Sequence, residues 1–312
     1  MTQRIATVTL NPAFDLVGRL AKIEIGEVNT VETLGIYPAG KGINVAKVLA
    51  DLGTNLTVTG FLGEENQGDF VQSFAKNGLV DDFYRINGKT RINVKITETE
   101  ADVTDLNFLG FEVCTNDWRK FSALSQNWES QFDLVAVCGS LPRGVSAEQF
   151  KEWLMTLHNQ GIKIVLDTSN QALTEGLKAH PWLVKPNRRE LEVLVGRKLD
   201  NLNEVIAAAQ ELRNKGIENV IVSMGEQGSI WVNNEGVLIA RPPRCENVVS
   251  TVGAGDSMVA GLIYGFAQGW DKAQTLKFAS ATSANAVAQS NVGVADRRVI
   301  DALAQQVEIT EI

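Results

Sequence analysis

Apolar positions along the chain recur in two rhythms. Continuous Val, Ile and Leu runs occur at IATVTL (5–10), LTVTGFL (56–62), LVAVC (134–138), IVLD (164–167), LVK (183–185) and VIVS (220–223). Unbroken runs of this length suit parallel strands covered by helices on both faces. Between them the spacing turns helical. Val45, Val48, Leu49 and Leu52 fall on one helical face, and Gly53 is placed to end that helix as a C′ residue. Ser146 with Gln149 has the form of a capping box opening a helix through Leu157, and Asn203 is a candidate cap for a helix running to Lys215. Repeated strand–helix–strand order predicts an α/β fold with a doubly wound, mainly parallel sheet, and ligands beyond the strands' C-terminal ends.

Two segments break that alternation. Residues 12–36 and 88–110 carry extended pieces such as RINVKIT (91–97) and DLNFLG (105–110), with polar and apolar residues alternating and no helix between them. That pattern suits a sheet with one wet face, and the two segments are read as a small β lid inserted into the main domain. Residues 1–11, 37–87 and 111–312 then form the core. At 312 residues the chain is long enough for one large domain with a small accessory. No internal repeat, low-complexity tract or flexible linker interrupts it.

Charge changes the picture by exclusion. Lys plus Arg total 29 against 37 Asp plus Glu, a formal net charge of −8. A nucleic-acid partner is not expected of such a balance, so any bound anion must be held by a local arrangement. Three scattered cysteines, Cys114, Cys138 and Cys245, give neither a disulfide framework nor a zinc pattern. The apolar run at the N-terminus is too short for a signal segment, and none reaches the roughly 20 residues of a membrane span. The expectation is a soluble cytoplasmic protein that uses no membrane.

GIYPAGKG (35–42) nearly spells a Walker A loop, but its eighth position is Gly42, so the metal-binding hydroxyl is missing and no buried strand enters it. What remains is a Gly-rich turn with Gly40 and Lys41, then Asn44 in the first helical turn. It is either a plain capping turn or a site for an anionic, hydroxylated ligand. KPNRRE (185–190) ends a strand and starts a helix. Asn187 and Glu190 have capping-box spacing, and Glu190 is equally a candidate for hydrated Mg²⁺. SMGEQG (223–228) is either a hairpin turn into SIWV or a place where backbone approaches a nucleotide. Ser140 in CGSLP lacks a histidine base, since His158 and His180 are poorly placed, so it is a ligand-contacting or structural hydroxyl. Arg91, Asn93 and Lys95 alternate along TRINVK and share one face, either solvated or gripping an anion.

STVGAGDSM (250–258) carries the sharpest signal. Gly253, Ala254 and Gly255 leave backbone N–H groups free to converge at a helix start, a nest for developing negative charge. Asp256 follows in the first turn, where it can take a proton from an alcohol. The apolar run MVAGLIYGFA (258–267) buries the helix behind it and fixes the site. An acid beside an anion hole predicts alcohol phosphorylation.

Taken together, AGKGINVAKVLADLG (39–53), STVGAGDSMVAGLI (250–263), KPNRRE and SMGEQG resemble the signatures of the ribokinase-like phosphofructokinase-B superfamily of carbohydrate kinases. TLNPAFD (9–15), KGINVAKVL (41–49), TRINVK (90–95), TDLNFLGFEV (104–113) and GSLPRGVS (139–146) resemble most closely its bacterial branch acting on fructose 1-phosphate. The likeness spans essentially the whole chain. It implies ATP-dependent phosphorylation of fructose 1-phosphate to fructose 1,6-bisphosphate with Mg²⁺. It also implies Asp256 as base, the Gly253–Gly255 amides as anion hole, and Asp15, Gly40, Lys41, Asn44, Arg91 and Ser140 on the sugar-phosphate side. Lys185, Asn187, Ser223, Gly225, Gly228 and the metal-side Glu190 fall to the nucleotide, and a homodimer through the lids is implied. Asn170, where relatives often carry Gly or Arg, is assigned no role. Sister kinases of fructose 6-phosphate and tagatose 6-phosphate share these motifs. A binding protein that had lost catalysis would not need the intact acid and anion hole. A dinucleotide-dependent oxidoreductase would need G-x-G-x-x-G after the first strand, where NPAFD stands instead.

Overall fold

The computed structural model describes residues 3–98, 103–245, 248–289 and 291–312, so residues 99–102 of the expected 88–110 segment lie outside it. In chain order the elements begin β1 (Ile5–Thr9), β2 (Ala13–Leu20), β3 (Glu32–Ala39), α1 (Lys41–Asp51), β4 (Leu56–Gly63), α2 (Gly68–Lys76), β5 (Val80–Ile86), β6 (Arg91–Glu98) and β7 (Val103–Asn107). They continue α3 (Thr115–Leu124), β8 (Leu134–Cys138), α4 (Ala147–Asn159), β9 (Lys163–Asp167), α5 (Asn170–Gly176), β10 (Leu183–Val184), α6 (Arg188–Val195), α7 (Leu202–Asn214) and β11 (Asn219–Ser223). The chain closes with β12 (Ser229–Asn233), β13 (Gly236–Arg241), α8 (Ala254–Ala267), α9 (Lys272–Val287), α10 (Arg297–Gln306) and β14 (Glu308–Glu311).

Among the described residues, ten strands form the main sheet in the order β14-β13-β12-β11-β10-β9-β8-β1-β4-β5. Neighbours run parallel from β5 across to β11, and β12, β13 and β14 add an antiparallel flank. Alternate residues of each parallel strand enter different cores. Val135 and Val137 of β8 pack into one cluster with α3 to α7, whereas Leu134, Ala136 and Cys138 pack into another with α1, α2 and α8 to α10. Burial on both faces is why these strands are apolar throughout. Strand order turns at β1, which takes β4 on one side and β8 on the other. Such a turning point opens a crevice at the strands' C-terminal ends.

A second sheet has the order β3-β2-β6-β7. It is built from the two segments singled out in the sequence, but β3 runs to Ala39, past the expected boundary at residue 36. Gly35 therefore lies within a strand, and the turn into α1 is Gly40 alone, with φ 141°. A methyl at Gly40 would stand 2.7 Å from Thr9 Cγ2, so the turn packs too tightly for a side chain. Strand alternation gives the small sheet two unlike faces. Asp15, Tyr37, Asn93 and Lys95 share one face, and Leu16, Ile36, Ile92, Val94 and Leu106 share the other.

Helix caps follow the sequence with one correction. Ser146 and Gln149 form the expected capping box. The cap of α7 is Asn201, whose side chain accepts from Glu204 N at 3.1 Å, and Asn203 sits inside the first turn. Asn170 has φ 55°, a left-handed conformation that asparagine tolerates better than most residues.

Candidate active site

α8 begins at the crevice. Gly253 caps it with φ 78°, and a methyl there would collide with Val292. The amides of Ala254, Gly255 and Asp256 belong to the first turn and have no carbonyl inside the helix to bond, and Ala254 N makes only a long contact to Thr251 O at 3.4 Å. Met258 to Gly265 are buried behind them, and each large apolar side chain so buried contributes about 1.5–3 kcal/mol. This anchors the helix start rigidly.

Asp256 is 6% exposed, and Asn44 of α1 donates to its Oδ2 at 2.8 Å. Burial pushes the Asp256 carboxyl above the usual carboxylate range; Lys41 opposes this, Asp167 reinforces it, and Asn44 and Lys185 oppose it. A raised carboxyl is a better proton acceptor once ionised.

Asp167, at the C-terminal end of β9, ties two lysines into the same crevice. Lys41 Nζ lies 3.7 Å from its Oδ2 and Lys185 Nζ lies 3.5 Å from its Oδ1. The Asp167 charge holds the Lys41 ammonium well above the ordinary lysine value. Lys185 is buried, and a methyl at Gly255 would stand 3.4 Å from its Nζ, so this lysine faces the start of α8. The sequence reading missed Asp167. Its only signal was an acid closing the apolar run IVLD at the end of a strand where ligands gather.

The small sheet supplies the other wall. A cavity of about 240 Å³ lies between Asp15, Tyr37 and Lys95 of that sheet and Asn44 and Lys47 of α1. Lys95 pairs with Asp15 at 3.2 Å and Asn93 donates to it at 3.3 Å, so the TRINVK face is partly neutralised and not uniformly cationic. Arg91 differs. Its guanidinium donates to the carbonyls of Phe108, Asn11 and Pro12 and has no acid partner among the described ion pairs. Asn11, also missed, carries Arg91 on its carbonyl and donates through Nδ2 to Ser140 Oγ at 3.1 Å, joining these two predicted residues. Ser140 is exposed and bonded to no histidine. A methyl on Gly139 would stand 3.7 Å from Lys41 Cβ, which brings the β8 loop beside α1.

KPNRRE and SMGEQG also meet. Asn187 and Ser223 form a bridge, with Ser223 N donating to Pro186 O at 3.1 Å. The capping box of α6 is complete, because Asn187 Oδ1 accepts from Glu190 N at 2.8 Å and Glu190 Oε2 accepts from Asn187 N at 2.9 Å. The close approach of β13 to the β11–β12 turn explains Gly228, since a methyl there would collide with the Ala240 carbonyl. Gly225, at φ 59°, faces open space.

These parts together set an acid beside a helix start, lysines between, and a polar sheet across the opening, an arrangement suited to phosphoryl transfer. Residues 8–297 match the pfkB family of carbohydrate kinases, and the chain belongs to that family. It is 65% identical over 308 residues to the 1-phosphofructokinase of Haemophilus influenzae, covering 99% of this chain and 98% of that one. It is 54% identical over 309 residues to the 1-phosphofructokinase of Escherichia coli, covering 99% of both. Among solved structures, a possible 1-phosphofructokinase from Thermotoga maritima superposes with a TM-score of 0.88 at 26% identity over 99% of each chain. The tetrameric inhibited form of Escherichia coli phosphofructokinase-2 gives 0.88 at 27% identity, covering 97% of this chain and 98% of that one. The enzyme is a sugar kinase with ATP as its phosphate donor. Among the described residues no helix is long and apolar enough to cross a membrane.

Proposed function

We propose that this kinase transfers the γ-phosphoryl group of ATP to the 6-hydroxyl of fructose 1-phosphate, giving fructose 1,6-bisphosphate and ADP. The observation that carries the reading is the buried Asp256, held by Asn44 at 2.8 Å in the first turn of α8. The two relatives named 1-phosphofructokinase support the choice of acceptor. As the acceptor oxygen bonds to phosphorus, its proton passes to Asp256 and the bond to the ADP oxygen breaks. The amides of Gly253, Ala254 and Gly255 meet the charge on the transferring group. Lys41 and Lys185 flank the same path. Asp15, Gly40, Asn44 and Ser140 orient the sugar, and Arg91 takes its phosphate.

Asn187, Ser223, Gly225 and Gly228 line the nucleotide side. Glu190 fits a magnesium ion there: one oxygen is taken by Asn187 N, and no described residue bonds the other. A hard cation held by one carboxylate and the nucleotide's own phosphates needs no larger cage. When bound there, magnesium would supply positive charge against the nucleotide's phosphates.

The small sheet acts as a lid and as a contact between two copies. Its outward face leaves Ile36, Ile92 and Leu106 at 47%, 42% and 51% exposure, with Phe108 nearby at 56%. An apolar face of this kind on a folded domain marks a protein contact. A coupled assay of ADP release across a panel of phosphorylated ketohexoses tests the acceptor. Fructose 1-phosphate must be the best substrate; a clear preference for fructose 6-phosphate or tagatose 6-phosphate would move the chain to a sister activity.

A further inference from the structure

Asp167 is 3% exposed and has a lysine on each oxygen, yet neither contact is a hydrogen bond. The separations are 3.5 and 3.7 Å, and Oδ2 has no hydrogen-bond partner at all. Buried carboxylates are normally tied down by donors. Here the ammonium groups are held by charge alone, which leaves their N–H groups for oxygens arriving from outside. Among the described residues Asp256 is the only other buried carboxylate in the crevice, so without Asp167 both lysines are left to it and, for Lys41, to the less buried Glu190.

We propose, on the basis of the kinase reading above, that Asp167 is a positioning residue. It anchors Lys41 and Lys185 away from Asp256 and keeps them aimed at the space the phosphoryl group crosses. The groups acting on Asp256 come from four neighbouring elements. Lys41 and Asn44 lie on α1, Cys138 ends β8, Asp167 ends β9, and Lys185 follows β10. Burial pushes the Cys138 thiol well up, so it stays neutral and contributes no charge near neutral pH. Removing the Asp167 charge has two effects of one sign on Asp256: a repelling anion is lost and two cations are released toward it. Both favour the ionised carboxylate, lower its proton affinity and weaken it as a base.

The test is Asp167→Asn assayed with fructose 1-phosphate and ATP across pH. The acid limb of kcat is expected to move down by about one pH unit, the usual scale for a nearby charge. The plateau kcat should fall about tenfold or more as the base weakens. The KM for ATP and the magnesium requirement should stay within about twofold, because Asn187, Glu190, Ser223 and Gly225 on the proposed nucleotide side are untouched. If that variant does not fold, Asp167→Asn with Lys185→Met leaves fewer unpaired buried charges, and its acid limb must still move down, by less, because Lys185 also favours the ionised carboxylate but more weakly than Asp167 opposes it. A folded variant whose acid limb stays in place would overturn the role. So would a raised magnesium requirement with an unmoved limb, which would make Asp167 a metal-side residue. A wild-type chain inactive on every ketohexose phosphate would sink the kinase reading itself, and this role with it.

Discussion

Asn44 and Asp256, on the first turns of α1 and α8, are joined by a 2.8 Å hydrogen bond from the Asn44 amide. The bond fixes the carboxylate's orientation and favours its ionised form. Asn44→Leu removes the donor and leaves burial unopposed at that oxygen, so the Asp256 pKa rises further. The base is then protonated over a wider range, and the acid limb of kcat should move up by about one pH unit. A pH–rate profile that did not move would show that Asn44 serves only the sugar.

Asp256→Asn should keep the fold and nucleotide binding while lowering turnover roughly 10²–10⁴-fold, the scale of losing a general base. Thermal melting and ADP titration check the first part, and single-turnover kinetics the second. Near-normal turnover would make Asp256 a structural acid.

Glu190→Gln separates two duties of one side chain. Glutamine can still complete the capping box with Asn187, so the melting temperature should change little. The charge that the proposed reading sets toward the metal is lost, and the magnesium concentration for half-maximal rate should rise several-fold. An unchanged magnesium titration would leave Glu190 as a helix cap.

Arg91→Ala should raise the KM for sugar phosphate far more than that for ATP. Its guanidinium lies on the small-sheet side with only backbone carbonyls as partners, and burial lowers its pKa. Asp15 acts on it only at a distance, and on the proposed reading the sugar's phosphate would be its direct counter-charge. Because buried polar groups reject an analogue that leaves them unpaired, fructose 1-phosphate should exceed fructose 6-phosphate in kcat/KM by orders of magnitude. Steady-state kinetics on both sugars decides it.

Leu106→Glu places a charge on the outward apolar face of the small sheet without touching the inward one. Sedimentation should show a dimer becoming monomer, with the melting temperature of the core little changed. A wild-type chain that sediments as a monomer at micromolar concentration would remove the lid contact from the picture.

The sequence carried some of this more readily than the rest. Strands such as LVAVC were legible because burial on both faces leaves no polar position to blur the run. β10 was read as three residues and forms two, since its length is set by neighbours and not by its own pattern. The α7 cap was misplaced although a cue was present: Asn201 has Glu204 three residues on, and Asn203 has Ile206. Gly253 to Asp256 announced themselves by small residues before an acid. Asp167 and Asn11 did not, because their meaning lies in lysines, arginine and serine brought to them from distant segments. Likewise Lys95 looked like part of a cationic face until the β2–β6 pairing set Asp15 beside it.

The small sheet is spliced between β1 and α1: β2 starts four residues after β1 ends, and β3 leads through Gly40 directly into Lys41. Gly40 and Lys41 are thus consecutive residues, and the covalent path from the small sheet to the first turn of α1, where Asn44 holds Asp256, is one short piece of chain. On the proposed reading, sugar bound against the sheet would bear on Lys41 and Asn44 through that same piece of chain.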